Sequence, residues 1–176
     1  MKKLVIVFTV ILFALTASMQ AQTAIDGLYK KYAGEKGFTS INISPEMFSF
    51  ISNIDMNDSS EKAKEAQDVV DQLSGLKMLV YEPEGESNQA FLKEVRSLSK
   101  SAGYSEMMSV DSEDEVVKFL AKKGADGKVL ELLMIVVDDK EAVIMSMTGN
   151  LDMKSIQQIS KSLDIDGMEN LEKIEE

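Results

Sequence analysis

The chain has 176 residues, 44% of them hydrophobic and 28% charged, a length and balance that fit one globular domain. It contains no Cys, no His and no Trp, which excludes a Ser-His-Asp triad, a Cys nucleophile, a thiolate zinc site, histidine-ligated haem and a redox dithiol. Acids outnumber bases by 30 to 19, and the net charge of −11 argues against nucleic acid as a partner, because phosphate contacts need clustered cations.

Residues 1–21 read as a cleavable secretory signal. Lys2 and Lys3 precede an apolar run from Leu4 to Leu15, and the mostly small and polar stretch Thr16 to Ala21 follows. The run is 12 residues long, short of the ~20 that cross a bilayer as a helix. Cleavage after Ala21 leaves Gln22 first; cleavage after Ser18 is the alternative, because Met19 is large for its place two residues before Ala21. No later apolar stretch is long enough to anchor the chain, and a lipid anchor would need a Cys. The mature chain is therefore expected to be exported and periplasmic, with no membrane span.

The mature chain opens with Ile25, Leu28, Tyr29 and Tyr32, a one-faced helical stripe ended by Gly34 and Gly37. Helical spacing turns both Tyr inward and Lys30 and Lys31 outward, so packing explains this segment better than an aromatic-basic binding patch. Phe38 to Ile43 alternates as a short strand with one side wetter than the other. Ser44-Pro45-Glu46 starts a helix: Ser accepts from free N–H groups, Pro loses nothing at the first position, and Glu favours the positive end of the dipole. Met47, Phe48, Phe50, Ile51 and Ile54 supply its apolar residues.

After the polar break Asp55 to Ser60, Asp58 with Glu61 resembles a capping arrangement for a helix carrying Ala66, Val70 and Leu73, which Gly75 stops. Leu76 to Tyr81 reads as a strand and Glu82 to Asn88 as an acidic loop. Phe91, Leu92, Val95 and Leu98 mark another amphipathic helix, ending by Gly103. Four strand-like runs follow: Tyr104 to Val110, Val116 to Ala121, Val129 to Val137 and Ala142 to Thr148. Their short connections permit only antiparallel neighbours, hence a meander. Val116, Phe119 and Leu120 would also suit a short helix, and periodicity alone does not decide. Leu132 to Val137 is apolar on both faces, as a covered central strand requires. Asp152 is placed to cap a helix bearing Ile156, Ile159 and Leu163. The expected architecture is one α+β domain over residues 22–176, its body roughly Thr23 to Ile165. Amphipathic helices pack on a mainly antiparallel sheet with a C-terminal meander, and an acidic tail begins at about residue 166.

The signal-like start, the strand-turn-strand LLMIVVDDKEAVIMSMTG and the segment NLDMKSIQQISKSL together resemble an exported bacterial family, domain of unknown function 4252, common in Bacteroidota. The resemblance covers most of the mature chain. It implies an envelope protein without an assigned reaction, so it transfers no catalytic residue.

Candidate chemistry is thin. Asp111, Glu113, Asp114 and Glu115 could offer oxygen ligands to Ca²⁺, as could Asp55, Asn57 and Asp58, or Asp164 and Asp166. None matches an EF-hand loop: counting from Asp55, Ser60 stands where Gly is needed and Ala66 where Glu is needed. The pairs Ser59/Lys62, Ser74/Lys77 and Ser97/Lys100 have the Ser-x-x-Lys spacing of penicillin-binding enzymes, without their SDN and KTG elements. Met78, Met134, Met145 and Met147 lie in strand-like runs and read as core filling rather than as soft-metal ligands. No catalytic, cofactor or metal residue is assigned, and no cofactor is expected. The sequence thus points to a non-enzymatic binding module whose partner is another envelope protein or ligand, with a carboxylate-based periplasmic hydrolase as the alternative. The exported protein should begin at Gln22 on N-terminal sequencing; an intact Met1 on a cytoplasmic form would refute export.

Overall fold

Side-chain alternation along two long neighbouring strands organises the molecule, which a computed structural model describes over residues 23–52 and 60–162. In β5 (Val129–Val137) the side chains of Leu133, Ile135 and Val137 enter one core, and those of Leu132 and Met134 enter a second on the opposite face. Its partner β6 (Ala142–Leu151) divides in the same way, Ala142 and Ile144 against Met145 and Met147. A strand buried on both faces must be apolar in both phases, and β5 nearly is.

Around this pair lies a six-stranded antiparallel sheet in the order β1-β2-β6-β5-β4-β3. The strands β3 (Ser105–Asp111), β4 (Val116–Lys123), β5 and β6 form the expected meander. On the other side of β6 come β2 (Leu73–Tyr81) and, at the edge, β1 (Phe38–Ile43). The helical alternative for Val116 to Leu120 is excluded. As a strand this segment bonds to both β3 and β5, and it sends Val117 and Phe119 to one core and Leu120 to the other. One helix face could not serve two cores.

The first face of the sheet is covered by α1 (Asp26–Tyr32) and α4 (Gln89–Leu98), through Ile25, Leu28 and Tyr32 and through Phe91, Leu92 and Val95. Tyr32, Phe38, Tyr81 and Phe91 pack there ring against ring, with centroids 4.7 to 5.0 Å apart. Stacked and edge-on contacts at this separation tie α1, β1, β2 and α4 together. Tyr29 and Tyr32 are thus packing residues, and Lys31 pairs at the surface with Glu94 at 2.6 Å.

The second face carries α3 (Glu61–Gln72) and α5 (Met153–Ser162), with Val69, Ile156 and Ile159 against the core; α2 (Pro45–Ser52) packs on β2 and α3. Met134, Met145 and Met147 are buried in this core and Met78 packs against it, so their role is filling. Caps fall where the sequence places them at Ser44 and Asp152, and Asn88, read from sequence only as the end of a loop, caps α4. Ser44 Oγ accepts from the Met47 N–H at 3.4 Å, Asn88 Oδ1 from Phe91 at 3.0 Å and Asp152 Oδ1 from Ser155 at 2.8 Å. At α3 the cap is Ser60, accepting from Ala63 at 3.2 Å; the expected cap Asp58 lies outside the described residues, as do residues 1–22, Ile54 and Leu163.

The expected stop of α3 at Gly75 also gives way. The helix ends at Gln72 and β2 begins at Leu73, because Leu73 already pairs with Gly149 of β6. This abrupt junction needs a glycine on the partner strand. A Cβ at Gly149 would stand 2.1 Å from the Gln72 carbonyl oxygen, with Leu73 Cα 3.1 Å away. Gln72 closes the junction from the other side, accepting from the Asp152 N–H at 2.8 Å and donating to its carboxylate at 3.1 Å. Gly149→Ala should therefore cost about 1–3 kcal/mol, the usual penalty for overpacking against atoms that cannot move aside. Urea denaturation should show this loss, whereas Gly27→Ala, where a Cβ meets nothing within 4 Å, should show none.

Candidate functional site

Three polar residues occupy inward positions on the first face. Glu131 is in phase with Leu133 and Ile135, Ser146 with Ile144, and Lys77 with Leu79 and Tyr81. Glu131 is only 3% exposed. A carboxyl group at that depth needs hydrogen-bond partners, and it has them. Ser146 Oγ donates to Oε1 at 2.7 Å, and the Tyr104 hydroxyl donates to Oε2. The Tyr104 oxygen in turn accepts from the Ala24 N–H at 3.2 Å.

Beside this chain, Lys77 Nζ pairs with Asp26 Oδ1, while Asp26 Oδ2 accepts from the Thr23 N–H at 2.8 Å. Burial pushes the Asp26 carboxyl up, but hydrogen bonds from Lys77 and Thr23 outweigh it and hold the group below its ordinary value of 3.8. A depressed carboxylate stabilises the fold above that value, and the contribution is lost as pH falls through the lower folded one. Burial, followed by the hydrogen bond to Glu131, raises the Tyr104 phenol.

Sequence reading missed this cluster. The available signal was a Glu standing in the covered phase of a strand otherwise apolar on both sides. Chemically the arrangement is a clamp: both Glu131 oxygens already hold hydroxyl donors, one from Ser146 on β6 and one from Tyr104 just before β3, and Ala24 just before α1 donates in turn to Tyr104.

The residues singled out from sequence do not converge. Asp111 ends β3 and residues 112–115 form the exposed turn to β4, closed by the Ser112 N–H to the Glu115 carbonyl at 2.9 Å, and no group of acids poised for a metal occurs among the described residues. Asp55, Asn57, Asp58, Ser59, Asp164 and Asp166 lie outside the described residues. In the Ser74/Lys77 pair, Ser74 Oγ meets Thr148 Oγ1 at 3.5 Å while Lys77 is engaged by Asp26. Ser97 Oγ donates to the Glu94 carbonyl at 2.6 Å, as helix Ser residues do.

A second feature lies along the β1 side of the molecule. α2 follows β1 after one residue and packs on β2, and its Phe50 and Met47 are 65% and 51% exposed. Ile41 on β1 adds a further exposed side chain at 42%. Single surface apolar residues are ordinary; here three large ones fall on two consecutive short elements, Met47 and Phe50 one helical turn apart.

Tyr104→Phe tests the clamp. Leaving a Glu131 oxygen without its donor should cost about 1–3 kcal/mol at pH 7. A raised phenol contributes stability that is complete below its ordinary value of 10.0 and is lost as pH climbs through the folded value. The Tyr104 share of alkaline destabilisation should therefore vanish in the variant, as urea melts at pH 7 and above 10 would record.

No helix among the described residues is long and apolar enough to cross a membrane. Comparison with curated proteins and with solved structures returns no match. A protein family described as a domain of unknown function (DUF4252) does match, over residues 29–159, a span from α1 into α5 that takes in all six strands. The chain belongs to this family.

Proposed function

We propose that the protein is an exported, non-enzymatic binding module of the bacterial cell envelope, and that its contact surface includes the exposed apolar side chains of Ile41, Met47 and Phe50. Export rests on Lys2, Lys3 and the apolar run Leu4 to Leu15. The observation that carries the binding reading is the exposure of Phe50, the most exposed of the large hydrophobic side chains in the described fold. A phenyl ring left in water costs solubility, and exposed apolar side chains of this kind mark a place where another surface removes them from solvent. A carboxylate mechanism has less support, because the most deeply buried acid, Glu131, is shielded from solvent and occupied by Tyr104 and Ser146.

Crosslinking in intact cells, followed by identification of the adducts, tests the reading. A discrete adduct should form with the wild type and with Leu130→Asp, whose side chain is also exposed but lies on β5. The double variant Met47→Asp/Phe50→Asp should lose it while keeping its far-ultraviolet spectrum. An adduct indifferent to that double change would overturn the assignment of the surface.

A further inference from the structure

The two edges of the sheet are built differently. β3 is guarded against pairing: its register breaks between Glu106 and Met108, and it carries the charged residues Glu106 and Asp111. β1 has none of these devices. Its register with β2 is unbroken from Phe38 to Ile43, and the strand FTSINI contains no charge and no proline. In a chain with a net charge of −11, an uncharged edge is where two like molecules can approach without repulsion.

The backbone of β1 also presents its groups in a definite phase. The Glu82 N–H donates to the Gly37 carbonyl at 3.0 Å, and Gly37 stands opposite Glu82, one step beyond the Phe38–Tyr81 pair. Bonded pairs alternate along an antiparallel ladder, so Thr39, Ile41 and Ile43 direct their N–H and C=O groups to β2, and Ser40 and Asn42 turn theirs outward. The Phe38 N–H, also outward, is taken by the Glu35 carbonyl at 3.1 Å.

We infer that β1 pairs antiparallel with β1 of a second copy of this chain, about a two-fold axis at Ile41, giving a continuous sheet of twelve strands, six from each copy. This register makes the strand complementary to itself. Ser40 and Asn42 face each other on both sides of the axis as hydrogen-bonded pairs, with polar side chains together on the first face. On the second face Ile41 meets Ile41 in the close, non-hydrogen-bonded arrangement, and Thr39 meets Ile43. Pairing β-branched side chains with one another is the favourable cross-strand choice. A slip by one residue would set apolar against polar on both faces. The inference rests on the reading of the β1–α2 side as the contact surface and names its partner.

The test uses the purified protein. Sedimentation equilibrium should give twice the chain mass for the wild type and a single mass for Ile41→Lys, which sets like charges opposite each other. Asn42→Pro should also be monomeric and still folded, since it removes an outward N–H that β2 does not use. The chain has no Cys, so Ile41→Cys introduces a unique thiol. Opposed Cα atoms in a non-hydrogen-bonded pair lie about 4.5 Å apart, within disulfide reach. Mild oxidation should link Ile41→Cys at least about tenfold faster than Leu130→Cys, a site of matched exposure (42% and 43%), as a raised effective concentration requires. A wild type of single mass at all concentrations, a dimer that survives Asn42→Pro, or equal oxidation rates would overturn the inference. A monomer that still forms a Phe50-dependent adduct with a different protein would refute the second copy alone and leave the binding reading standing. A monomer without any adduct would refute both.

Discussion

Everything in this fold depends on two adjacent strands being buried on both faces. β5 and β6 deliver Leu133, Ile135 and Ile144 to one core and Leu132, Met134 and Met145 to the other, so each face of the sheet must be covered by helices. A single sheet with one wet face would need no such cover and could alternate apolar with polar residues. Here the helices divide, α1 and α4 on one side, α3 and α5 on the other. The chain reaches the second side twice, through the α2–α3 excursion between β1 and β2 and again after β6. With no Cys in the chain, these two cores and the ladder between them carry the stability.

The same constraint explains the polar cluster. Where the first face runs out of apolar cover, Glu131, Ser146 and Lys77 still point inward because the strand period leaves them no other direction. Asp26 at the start of α1 answers Lys77, and Tyr104, just before β3, answers Glu131 while accepting from the Ala24 N–H that precedes α1. A buried network of this kind is favourable only when every member is satisfied, and then it specifies a single docking of the helix it touches. The aromatic group of Tyr32, Phe38, Tyr81 and Phe91 holds the other end of α1. The helix is thus fixed at both ends by different physics, directional hydrogen bonds at its start and ring packing at its finish.

The asymmetry of the edges connects fold to function. An antiparallel sheet of six strands has two open ladders, and natural sheets blunt such ladders with bulges and charge. β3 follows that rule and β1 departs from it, with exposed Met47 and Phe50 on the helix that follows β1. An undefended ladder followed by exposed apolar side chains is a liability unless something covers it, which is why we propose the contact surface on this side of the molecule rather than at the clamp.

The sequence by itself determined the fold class, the meander, the central position of Leu132 to Val137 and two of the helix starts, because these follow from local period and local hydrogen-bond chemistry. Ser44 and Asp152 sit before apolar stripes, and a cap needs only the next three residues. Tertiary structure alone decided the rest. Val116 to Leu120 satisfied two periods, and only the presence of β3 and β5 on either side selected the strand. Gly75 looked like a helix stop, but the pairing of Leu73 with Gly149 ended the helix earlier, through a contact 76 residues away in the chain. Glu131 read as one acid among thirty until β6, Tyr104 and α1 were placed around it. The unguarded edge of β1 was invisible for the same reason: whether a strand lies at the edge or the centre is a property of its neighbours, and no residue within FTSINI encodes it.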